Sequence, residues 1–178
     1  QTILNKEGKP LYLLPDVEVL TSPTPQFEYY PVGDSIVITL QFENKGASAL
    51  QVPAYVSAYK NSIAAGNAIA TDSIMTAVFP GETATAIVTI RNVHDFMPMN
   101  EIIVRINDNK GKGEIGQPEC DTTNNDFAFN SLFILADDYS ATDVNTPVII
   151  DVLENDLLGN CTRGNLEDVK ISNTWKPE

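Results

Sequence analysis

The chain has 178 residues, 43% of them apolar, and 24 acidic against 11 basic side chains give it a formal charge of -13. That apolar content suffices for a packed core and argues against disorder, while the acidic balance disfavours nucleic acid and anionic membrane surfaces as partners. No apolar run is long enough for direct membrane insertion, and Gln1 opens no basic-then-hydrophobic leader, so the sequence reads as an interior fragment or a mature product.

Residues 1–14 hold Leu4, Leu11, Tyr12, Leu13 and Leu14 without a regular period and read as a lead-in segment. Asp16 to Leu20 alternates, with Val17 and Val19 on one face, and predicts a first strand; Pro23 and Pro25 then break the extended run. The clearest strand is Ser35 to Asn44. There Ile36, Ile38, Leu40 and Phe42 face one way and Ser35, Thr39, Gln41 and Glu43 the other, between turn-forming residues on both sides. Val52 to Lys60, with Tyr55, Val56 and Tyr59, predicts a further strand, and Asn67 to Phe79 one or two short ones. Phe79-Pro-Gly-Glu82 is a turn. Thr83 to Arg91 alternates again with Ala84, Ala86, Val88 and Ile90 inward, Glu101 to Asn107 repeats the pattern, and Asp126 to Ile134 supplies a closing strand through Phe127, Phe129 and Phe133.

About seven short strands separated by turn signals are the mark of an all-β protein, an antiparallel β-sandwich of two sheets. Its domain spans residues 15–135, with Ile36, Leu40, Val88, Val104 and Phe129 in its core. No window reads as a capped amphipathic helix. From Ala136 the texture restarts, with Val148, Ile150 and Val152 in alternation and Val169 and Ile171 further on. Residues 136–178 are too few for a core of their own and read as the N-terminal part of a second β domain.

The best metal candidate is Asp108 to Glu119, because Asp108, Gly113 and Glu119 occupy the first, sixth and twelfth places of an EF-hand loop. Lys110 and Lys112 stand where that loop needs oxygen ligands, which favours a plain glycine-rich hairpin loop. A looser set of Asp108, Glu119, Asp121 and Asn124 supplies the oxygen ligands calcium prefers. No cofactor is required. Asp121 to Asn125 equally suits local side-chain to backbone bonding at the entry to the last strand. Cys120 and Cys161 can bridge in an oxidising compartment or stand free. His94, the one histidine, reads as a solvated loop residue, since no Gly-x-Ser-x-Gly accompanies it. Tyr29, Tyr30, Tyr55, Tyr59 and Trp175 can form either a sugar-binding platform or ordinary packing, and packing is favoured.

Pro15-Asp-Val-Glu-Val19, the Val37 to Gly46 strand with its Asn44-Lys-Gly46 end, Phe79-Pro-Gly-Glu-Thr-Ala-Thr85 and Cys120-Asp-Thr-Thr-Asn-Asn125 together resemble the cell-adhesion-related bacterial domain, an immunoglobulin/fibronectin-like antiparallel β-sandwich. Ala136-Asp-Asp-Tyr139 and Thr146 to Asp156 resemble the opening half of a bacterial cadherin-like tandem repeat. These resemblances imply a non-enzymatic structural or adhesive module of a larger secreted or cell-surface bacterial protein. Its partners would be other domains of the same protein and a surface protein or glycan. The alternative is a carbohydrate-binding accessory module of a secreted glycan-active enzyme.

Overall fold

The strict alternation of Ser35–Asn44 produces the longest strand of the fold. The computed structural model describes residues 13–30, 32–96, 99 and 101–130, single positions at 141, 147 and 149, and two pairs of two-residue strands near the chain ends. In chain order the main strands are β1 (Val17–Val19), β2 (Gln26–Tyr30), β3 (Ser35–Asn44), β4 (Ala54–Lys60), β5 (Ala68–Ile74), β6 (Thr83–Arg91), β7 (Glu101–Ile106) and β8 (Asp126–Asn130). All pairings are antiparallel and fall into two four-stranded sheets. In the first sheet, β1 and β2 lie end to end along one edge of β3 and β6 lies along the other. The second runs β8-β7-β4-β5.

The inward residues of both sheets share one core. Ile36, Ile38, Leu40 and Phe42 of β3 meet Val88 and Ile90 of β6 and, across the interior, Val56 of β4 and Ile102, Val104 and Ile106 of β7; all are buried. Each such side chain removed from water stabilises the fold by roughly 1.5–3 kcal/mol. Asp72 of β5 accepts a bond from the Thr89 N–H of β6 (2.9 Å), so one carboxylate links the neighbouring edges of the two sheets. An all-β antiparallel sandwich is thus the fold, as the alternation predicts.

Two expectations need correction. The sandwich has eight strands where about seven are expected, because Gln26–Tyr30, just after the proline break, is also a strand. Its two apolar residues follow a proline-rich break, and its outer residues Gln26, Glu28 and Tyr30 are exposed, so it carries a weak signal. Phe129 lies at the margin of the core, since β8 is an edge strand. Its ring packs 5.7 Å from Phe27 and, edge-on, 4.9 Å from Phe127. The ambiguous Asn67 to Phe79 stretch resolves into β5, preceded by a 3-10 turn at Ala65–Asn67 and followed by Val78 bridging Leu50.

Near the chain ends, Ile3–Leu4 pairs with Pro10–Leu11 and Leu157–Leu158 with Thr162–Arg163. The strands expected around Val148 to Val152 and Val169 to Ile171, with Phe133, Cys161 and Trp175, lie outside the described residues.

Candidate functional site

The connection from β7 to β8, Asn107 to Asn125, carries every candidate ligand, and it folds back over the outer face of the second sheet. Positive φ angles at Asn107, Lys110, Gly111 and Gly113 reverse the chain. A side chain at Gly113 would meet the Ala64 backbone at 3.1 Å, so glycine permits that approach. The outward-facing Ser57 and Tyr59 of β4 therefore become fully buried.

Asp108, itself buried, organises this cover. Its carboxylate accepts from Ser57 Oγ (2.9 Å), the Tyr59 hydroxyl and the Gly111 N–H. The Tyr59 oxygen accepts in turn from the Gly113 N–H (2.9 Å). Burial first, then the Asp108 hydrogen bond, push the Tyr59 phenol well above its ordinary pKa. Arg105 grips Asp126 through two 2.7 Å bonds, a paired fork that places its third nitrogen 3.0 Å from the Gly113 carbonyl. Lys110 Nζ stands 5.1 Å from the centre of the Tyr55 ring.

Glu119 belongs to a second network at the end of the sandwich where the chain enters. One carboxylate oxygen accepts the Val17 N–H (2.7 Å); the other accepts the side-chain amides of Asn107 and Asn125, the latter at 2.6 Å. Burial raises the Glu119 pKa, and these three donors oppose the rise. Further bonds hold the loop to the first sheet: Cys120 N–H to the Pro15 carbonyl (3.1 Å), Val19 N–H to the Asn124 carbonyl (3.0 Å) and Asn124 Nδ2 to Asp16 Oδ1 (3.3 Å).

Asn44 closes the same end and is fully buried. Its oxygen accepts from the Asp16 and Gly46 N–H groups (3.1 and 3.0 Å), and its nitrogen donates to the Ser48 and Val78 carbonyls (both 2.8 Å). The buried hydrogen-bonding roles of Asn44, Asn107, Asn125 and Tyr59 are what pattern reading passes over. The available signal was a run of polar residues directly after apolar strands, above all Asn44-Lys-Gly46.

The four candidate ligands are not gathered into one oxygen cage. Asp108 serves the β4 network and Glu119 the Val17 network, while Asn124 reaches Asp16. Asp121 is exposed, and one of its oxygens accepts the Thr123 N–H (2.9 Å) and hydroxyl (2.7 Å), which lowers its pKa. Among the described residues no three His, Cys, Asp or Glu side chains stand close enough to share a metal ion. The EF-hand spacing treats the loop as isolated, whereas these carboxylates bond to groups up to 102 residues away in sequence.

His94 is exposed, as expected, but it sits in a 3-10 turn (Val93–Phe96) rather than a plain loop and is tied down. Its Nδ1 lies 2.6 Å from Asp34 Oδ1, and its N–H donates to Asp34 Oδ2 (3.1 Å). Tyr29 and Tyr30 belong to the first sheet and Tyr55 and Tyr59 to the second, so these four rings share no common face. Cys120 is exposed, its sulfur 3.9 Å from the Leu14 carbonyl. No helix among the described residues is long and apolar enough to cross a membrane. No protein-family model, curated protein or solved structure significantly matches the chain.

Proposed function

We propose that the sandwich is a non-enzymatic structural and adhesive module, a spacer within a larger secreted or cell-surface bacterial protein. The course of the terminal strands carries this reading. Pro15 lies beside Cys120, Val19 beside Asn124 and Phe27 against Phe129, so β1 and β2 run in the same direction as β8. The chain therefore enters at the Asn44 end and leaves β8 at the opposite end, roughly 30 Å away by the rise of a ten-residue strand.

Tension between those ends loads the β1–β3, β2–β3 and β7–β8 ladders along their length. Their hydrogen bonds then share the load instead of opening one at a time. The Glu119 and Asn44 networks pin the entering chain where that load arrives. In this role the first partners are neighbouring domains of the same protein, and exposed loops meet a surface protein or glycan.

Single-molecule extension of the chain, with handles attached at both termini, tests the reading. The expected record contains one cooperative rupture for the sandwich that releases roughly 35 nm of contour length. Gradual yielding at low force, with no such event, would remove the spacer role.

A further inference from the structure

We propose that a groove on the outer face of the first sheet binds one neutral sugar ring of a glycan. The groove arises where the sheet edge is interrupted. β1 pairs with Phe42 to Asn44 and β2 with Ser35 to Thr39, leaving Leu40 and Gln41 without register partners on that side. Among the described residues only the Leu20 N–H, 2.9 Å from the Gln41 carbonyl, reaches across. Pro23 and Pro25 have no N–H to give to a ladder, so the break cannot close by strand pairing.

What remains is a groove of about 150 Å³ walled by those two prolines. Its polar lining comes from Thr24, Gln26, Thr39, Gln41 and Thr85. Among the described residues, none of these five side chains has a hydrogen-bond partner within the protein. No charged residue lines the groove, although the chain carries a formal charge of -13. A cation would find no carboxylate there, and the field of the whole molecule repels an anion.

Hydroxyls and primary amides can each donate and accept, which matches the adjacent hydroxyls of a pyranose. The exposed Pro23 ring offers apolar surface to its C–H face. The volume lies below the roughly 300–1,000 Å³ of pockets for drug-sized ligands, so it suits a single ring of a longer glycan, with affinity near about 1 mM. The site does not depend on the spacer reading, since it rests on the lining of the groove and not on the direction in which the terminal strands run.

The test is amide NMR of the 178-residue chain titrated with maltotriose, cellotriose, mannotriose and triacetylchitotriose, with trigalacturonic acid as the charged counterpart. The expected result is that at least one neutral trisaccharide shifts the amides of Gln26, Thr39, Gln41 and Thr85, while the uronate leaves them in place. Thr39→Val combined with Thr85→Val keeps the β-branched shapes and should weaken binding about tenfold. Gln41→Ala is a second variant on the same wall, and unchanged circular dichroism of each confirms the fold. The proposal is overturned if no neutral sugar moves these amides at about 20 mM, if the shifts fall elsewhere, or if the variants bind as tightly as the parent.

Discussion

Removing the Asn44 side chain tests how the entry end is held together. Asn44→Ala deletes four hydrogen bonds, but they are not equivalent. The one to the Val78 carbonyl is fully buried; those involving Asp16, Gly46 and Ser48 are partly buried. The Val78 carbonyl keeps the Leu50 N–H (2.9 Å) as a donor, so its lost bond costs about 1 kcal/mol, and three partners that can recover water cost about 0.5 kcal/mol each. The loss is therefore about 2–3 kcal/mol, a drop in Tm of roughly 8–12 °C for a domain of this size.

Asn44→Asp sharpens the test, because it keeps the shape and reverses the polarity at the nitrogen. An ionised oxygen would then face the Ser48 and Val78 carbonyls, so at pH 7 the aspartate should be less stable than the alanine. Protonating that carboxyl restores one donor, and the gap should narrow toward pH 4. Urea unfolding followed by far-UV circular dichroism measures all three proteins. A loss below about 1 kcal/mol for the alanine variant, or an aspartate variant as stable as the parent, would refute the reasoning.

Gly46→Ala should cost about 1–3 kcal/mol or more, because a Cβ there would lie 2.5 Å from the Leu14 carbonyl oxygen and the Pro15 carbonyl carbon. Gly66→Ala has nothing within 4 Å and should change stability by less than about 0.5 kcal/mol, so equal Tm values for the two variants would contradict the packing argument. Glu119→Gln leaves one oxygen for three donors and should cost about 1–2 kcal/mol at pH 7. Burial raises the Glu119 pKa above the ordinary carboxyl range, so the folded state binds more protons than the unfolded chain in the interval just above that range. Acidification through that interval stabilises the parent but not the variant, and the deficit should widen; a deficit that shrinks would show the opposite shift. Arg105→Lys loses the paired grip on Asp126 and the contact with the Gly113 carbonyl. Hydrogen exchange at the Gly111 and Gly113 amides should accelerate about tenfold while β3 amides keep their rates; uniform acceleration would mean that the loop is not a separately opening unit.

The alternation of apolar and polar residues by itself determined the sheets. Ile36 to Phe42, Ala84 to Ile90 and Ile102 to Ile106 each place every second side chain on one face, and nearly all of those side chains are buried. That signal is local, because the two-residue period belongs to any extended chain that covers one side. What the carboxylates and amides do was decided only by tertiary structure. Asp108 meets Tyr59 49 residues away, Glu119 meets Val17 102 residues away, and Asn44 meets Val78 34 residues away. The same oxygens suit a cation or a backbone N–H, so their partners depend on which strands the fold brings beside them.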